Sequence, residues 1–143
     1  MHRDQERGRR AFAFCSELDT ARVDDLVSFA RELPSLVQRS GLLAAWTFCL
    51  AKKTREHGDI LRALQSHLGG SGLLSAELAA GEPKDVLGHW LGSETGHAVG
   101  GLELRRLTAE SLEFAGWLKR AAEALSSGKD REDLAAAAGG GAP

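Results

Sequence analysis

Ten consecutive residues, Leu42 to Ala51 within "SGLLAAWTFCLAKKTREHG", carry a single polar side chain, Thr47. The run is too short to span a bilayer. Wound as a helix it is apolar on nearly every side, the mark of a helix buried all round. Trp46, Phe48 and Leu50 are therefore expected at the centre of the core, where each side chain contributes about 1.5–3 kcal/mol when fully buried. The run then passes without a break into Lys52, Lys53 and Arg55. Those cations complement the negative end of their own helix, and they are equally a candidate edge for contacting an anion.

The remaining patterns are helical too. Ala11, Phe14, Cys15 and Leu18 recur at i, i+3, i+4 and i+7, which predicts a helix over residues 3 to 18 with one buried stripe. Arg3, Arg7 and Arg10 share that spacing beside it. "LDTARVDD" breaks the pattern, and a second helix is expected from Asp24 through Leu26, Val27, Phe29 and Ala30. Pro34 lacks an N–H, so that helix must kink or restart there. Gly41 sits where a left-handed C-terminal residue belongs. A further helix carries Ile60, Leu61, Leu64 and Leu68 on one stripe, with Asp59 as its expected N-cap.

Residues 69–101 hold nine glycines and read as short helical pieces joined by flexible loops, notably "PKDVLGHWLG" with Pro83 near its start. From an expected N-cap at Thr108, with Glu110 in the first turn, a strong helix buries Phe114, Leu118, Ala121, Ala122 and Leu125. β-branched and aromatic residues are scarce and tyrosine is absent, which favours helix over sheet. The fold class is all-α: one compact helical-bundle domain over residues 1–128, followed by a flexible Ala/Gly-rich tail over 129–143.

The 143 residues carry a formal charge of −2, which counts against a free-standing nucleic-acid binder but leaves room for local basic patches. Cys15 and Cys49 lie inside helical apolar patterns and read as reduced core residues. The charged start "MHRDQERGRR" is followed by no signal-type apolar segment, so a cytoplasmic protein without a membrane partner is expected. The five histidines form no HxxxH or HExxH pair, "GGSG" lacks a P-loop lysine, and "GSETG" is not a nucleophile elbow. No catalytic, metal or cofactor site is expected. What remains is surface chemistry: Arg3/Arg7/Arg9/Arg10, Lys52/Lys53/Arg55, Arg105/Arg106 and Lys119/Arg120. Each is also accounted for as an ordinary solvated face, with Trp117 packing at the core edge while Lys119 and Arg120 reach outward.

Two segments go further. "ARELPSLVQRSGLLAAWTFCLAKK" resembles the signature of the small subunit of type III-B CRISPR effectors, the Cmr RNA-silencing complexes. The matched positions are Leu33-Pro34, Ser40-Gly41-Leu42, Phe48 and Lys52. "LRRLTAESLEFAGWLKRAAEA" resembles the second element of that family, ending in W-L-K-R. The likeness spans roughly residues 5 to 126; Leu104 stands where members often carry Tyr, and Ser40 where they carry Asn.

The resemblance implies a compact helical domain without enzymatic activity. Its copies would stack as a minor filament beside the other subunits of the complex and help to hold guide and target RNA. Sequence selection then falls to guide pairing, as in other RNA-guided effectors, so a few Lys and Arg contacts to phosphate suffice. On that basis the candidate RNA-contacting residues are Lys52 and Lys119, then Arg120, Arg105 and Arg106, then Lys53 and Arg55, and finally Arg7 and Arg10. They are expected to gather on one groove-facing surface. A helix-turn-helix DNA binder is disfavoured, because its recognition helix would be apolar where base-reading side chains are required. A helical adaptor without nucleic acid stays open.

Overall fold

The computed structural model describes residues 2–128; the tail expected over 129–143 lies outside them. Among the described residues there is no strand. Seven helices follow in order: α1 Arg3–Glu17, α2 Thr20–Ser40, α3 Leu42–Lys52, α4 Arg55–Gly70, α5 Ala76–Ala80, α6 Pro83–Leu91 and α7 Gly101–Leu125. The all-α expectation holds.

The two longest helices, α2 and α7, form the central pair. They run antiparallel, since Asp24 meets Ser127 and, further along α2, Arg31 meets Glu123. α1 packs on the other side of α7, and α3 and α4 pack on α2. The core joins Leu26, Ala30, Leu33 and Val37 of α2 to Phe114, Leu118, Ala121 and Ala122 of α7. Both sets follow the three-and-four spacing that places side chains on one helix face. Cys15 and Cys49 are buried free thiols, and burial pushes their pKa up to about 11 and about 12.

α3 meets the short α6 through an edge-on pair, Trp46 against Trp90 at 4.9 Å. The Trp46 indole N–H donates to the Pro83 carbonyl at 2.8 Å, so the buried ring leaves no orphan donor. Gln65 of α4 does the same for α5, donating from its amide to the carbonyls of Leu78 and Gly81. The glycine-rich middle thus packs as two short helices, with α6 starting at Pro83 as its sequence predicts.

Four local expectations change. α3 is not buried all round: Leu42, Ala45, Trp46 and Cys49 face inward, while Thr47 and Phe48 are exposed. Among the described residues no further helix covers its outer side, and Leu50 is only half-buried. α4 starts at Arg55 and is capped by Thr54, whose hydroxyl accepts from the His57 N–H. Asp59 is instead a buried residue inside the helix, ion-paired to Arg22. α7 starts at Gly101, and Thr108 lies two turns in, its hydroxyl donating to the Leu104 carbonyl. α2 begins at Thr20 behind an Asp19 cap and runs through Pro34 without ending. Buried residues on both sides of the proline, Leu33 and Val37, hold that helix together. Gly41 then separates α2 from α3 with φ 85° and ψ 165°, a backbone region open to glycine and closed to most residues with a Cβ.

Candidate nucleic-acid interface

The cationic residues fall into separate groups. Lys52, Lys53 and Arg55 lie at the junction of α3 and α4 and are exposed. Lys53 ends α3 in the left-handed conformation, φ 54°. The chain therefore reverses there and presents successive cations at one corner. Lys52 reaches back over the Phe48 ring, with Nζ 5.0 Å from the centroid, a cation–π contact. Phe48 is 39% exposed. Beneath it Phe29 lies 6.0 Å away, stacked, and His57 meets Phe29 at 4.2 Å. Burial lowers the His57 pKa, so the imidazole under this corner is neutral at pH 7. The result is an aromatic platform rimmed by cations.

A second group lies around α1. Arg7 forms a two-pronged ion pair with Glu110 of α7: Nε donates to Oε2 at 2.6 Å and a terminal nitrogen to Oε1 at 2.8 Å. Its side chain is only 12% exposed. Glu110 also accepts from His67 of α4 at 2.8 Å, and the His67 ring stacks on Phe114 at 4.1 Å. Arg10 donates to the Gly70 carbonyl at 3.0 Å and lies 3.4 Å from His67 Nδ1. With Arg10 a donor only, Nδ1 is the acceptor and Nε2 carries the proton given to Glu110. The Arg7 guanidinium holds the Glu110 pKa down at about 2, and burial lowers that of His67. Arg7 and Arg10 thus share one polar seam joining α1, α4 and α7. Together with Arg106 of α7 they line a cavity between α1 and α7.

The third group is at the other end of α7. Arg120 lies over the Trp117 ring at 5.0 Å, and Lys119 beside it is exposed. Trp117 packs on Gly8, where a Cβ would come within 3.2 Å of the ring, and its indole N–H donates to Asp4. That bond, followed by one from Arg7, lowers the Asp4 pKa. Arg105 is exposed on α7.

The α3–α4 corner is far from the seam, whereas the second and third groups adjoin, because Asp4 is bonded to both Arg7 and Trp117. Arg55 opens α4 and Gly70, which Arg10 contacts, closes it; fifteen residues of helix separate them by about 22 Å. Arg106 and Lys119 are about 20 Å apart along α7 by the same rise. Among the nine candidates, Arg7, Arg10 and Arg106 come together in one cavity, and Lys52, Lys53 and Arg55 at one corner. Sequence patterns missed Phe48 as a surface residue, and they missed Glu110 and His67 as the partners of Arg7 and Arg10. Among the described residues no group of three or more His, Cys, Asp or Glu is placed to hold a metal ion, and no helix is long and apolar enough to cross a membrane.

The described residues place this chain among all-helical proteins, with a cationic aromatic corner between α3 and α4. Its family is CRISPR-associated protein (Cas_Cmr5), whose model matches residues 3–125, and the chain belongs to that family of type III-B small subunits. Comparison with curated proteins and with solved structures gives no match.

Proposed function

We propose that this CRISPR-associated subunit is a non-catalytic building block of a cytoplasmic type III-B effector in antiviral defence, and that it contacts guide or target RNA through the α3–α4 corner. The single observation carrying this reading is Phe48 with Lys52 over its ring, exposed beside Lys53 and Arg55. Once Lys52 swings off the ring, the Phe48 face accepts a stacked base of any sequence, and the freed cation joins Lys53 and Arg55 at the flanking phosphates. Each copy supplies few contacts, and repetition along a filament multiplies them. Lys119, Arg120 and Arg105 extend the contact, with Arg120 held over Trp117. Arg7 serves the fold through Glu110. Two exposed leucines, Leu91 at 53% and Leu102 at 63%, are the apolar surfaces offered to neighbouring copies or other subunits.

The test is RNA capture by the assembled complex carrying Lys52→Glu in every copy. Capture falls while copy number and thermal stability stay unchanged. Undiminished capture would remove Lys52 from the RNA contact and leave Lys119, Arg120 and Arg105 to carry it; capture undiminished by their reversal as well would favour the adaptor reading.

A further inference from the structure

We propose that the cavity between α1 and α7 is a binding pocket for a phosphate monoester of mononucleotide size, separate from the α3–α4 corner. The cavity measures about 550 Å³, within the range of small-molecule sites. Its two long walls are helical stripes. Arg3, Arg7 and Arg10 recur at three-and-four spacing along α1, and Arg106, Glu110 and Glu113 along α7. The last turn of α4 closes one end. The fold thus gathers four arginines from two helices around one concavity.

Their charges are not equally available. Arg7 is cancelled by Glu110 on the floor. Arg10 is held in place by the Gly70 carbonyl, with Glu6 at 3.8 Å. Arg3 and Arg106 are exposed and have no hydrogen-bond or ion-pair partner among the described residues. Two unpaired guanidinium groups line opposite walls, with a third fixed between the helices. Guanidinium forks match phosphate oxygens in pairs, and a monoester brings about −1.5 to −2 charge at pH 7. Such a ligand answers both free cations at once, which a singly charged diester does less well.

The acids select the remainder of the ligand. Glu113 lines the cavity without a hydrogen-bond partner among the described residues. It repels a long polyanion, yet accepts hydrogen bonds from sugar hydroxyls or a base amino group. Leu73 and Ala109 add apolar wall for the rest of a nucleoside. The monoester can belong to a free nucleotide or to the terminal phosphate of an RNA strand.

Calorimetric titration of the full-length protein at fixed ionic strength distinguishes these sources. The probes are adenosine 5′-monophosphate, adenosine, inorganic phosphate, and one short oligoribonucleotide made with a 5′-phosphate or a 5′-hydroxyl. The monophosphate binds below millimolar concentration, inorganic phosphate more weakly, and adenosine not at all. The double variant Arg3→Gln/Arg106→Gln loses affinity about tenfold or more, whereas Lys52→Glu keeps it. An oligomer that binds only when 5′-phosphorylated assigns the pocket to strand ends. One excluded in both forms assigns it to free nucleotide. No binding of the monophosphate at millimolar concentration overturns the proposal, as does adenosine binding equally well or full affinity in the double variant. The comparison of adenosine with its monophosphate needs no variant to fold, and neither outcome depends on RNA capture at Lys52.

Discussion

Glu110 is the residue on which the α1–α4–α7 seam depends. It accepts two bonds from Arg7 and one from His67, and its side chain is nearly buried. Replacing it by Gln removes the carboxylate that meets two Arg7 nitrogens and leaves the half-exposed Asp4 as the remaining ion-pair partner of Arg7. The cost therefore falls below the figure for a fully broken buried pair, about 3–5 kcal/mol. Denaturant unfolding measures that loss, and Arg7→Met added to Glu110→Gln restores much of it. The same carboxylate sets a pH dependence. Its pKa falls from an ordinary 4.5 to about 2 in the fold, so the unfolded chain binds the extra proton between those values. Its contribution is complete above pH 4.5 and is lost as pH drops toward 2. His67 adds an earlier limb of the same sign: its pKa is lowered from 6.5 by burial, so protonation favours the unfolded chain as pH falls below 6.5. Melting temperature against pH therefore declines in two stages on acidification. A curve flat from pH 7 to 2 refutes both assignments. None of this was readable from the chain alone. Glu110 looked like a first-turn residue favoured by the helix dipole, because its partner Arg7 lies 103 positions away and periodicity carries no information at that separation.

Among elements, the helices were legible, as were the starts of α1 and α6, but the starts of α2, α4 and α7 were not. Stripes such as Leu61, Leu64 and Leu68 announce which face is buried, but capping is a competition among nearby polar residues decided by where the chain turns. Thr54 won over Asp59 because the turn follows Lys53, and Asp59 was drawn inside by Arg22. Thr108 lost to Gly100 because the helix already runs from Gly101, with Leu107 buried in the core one residue before it. Pro34 offers a measurable consequence. A proline inside a helix costs about 3 kcal/mol relative to alanine, partly offset by about 1 kcal/mol of lost freedom in the unfolded chain. Pro34→Ala therefore stabilises the protein by about 1–2 kcal/mol, with unchanged helical content by circular dichroism; destabilisation means that the half-buried ring contributes packing exceeding that gain. Gly69 tests the opposite case. A Cβ there would lie 2.5 Å from the Ala79 Cβ, so Gly69→Ala pushes α5 off α4 and weakens the bonds from Gln65. Overpacking of this kind costs about 1–3 kcal/mol. Hydrogen exchange at Leu78 and Ala79 should rise before global stability is lost.

For the whole molecule, the question is how an acidic chain presents positive surface. It does so by dividing its arginines and lysines between different tasks. Arg3, Arg7 and Arg10 of α1 line the seam and its cavity, while Lys52, Lys53 and Arg55 are left exposed at a corner reinforced by Phe48. The motif positions Phe48 and Lys52 were visible in the sequence; the exposure of Phe48 was not, because an apolar run says nothing of which neighbour is missing on its outer side. This division predicts how RNA contact responds to salt. If the corner supplies the phosphate contacts, reversing Lys52 and Lys53 together in every copy weakens RNA retention at low salt and flattens its dependence on salt concentration, because fewer counterions are released per copy. Phe48→Ala weakens retention as well, by about 1–3 kcal/mol per stacked base, but leaves the salt slope intact, since no charge is removed. Filter retention of labelled RNA by the assembled complex across a salt series separates the two. Parallel slopes for wild type and the charge-reversed complex place the phosphate contacts at Lys119 and Arg120 instead, whose reversal must then flatten the curve.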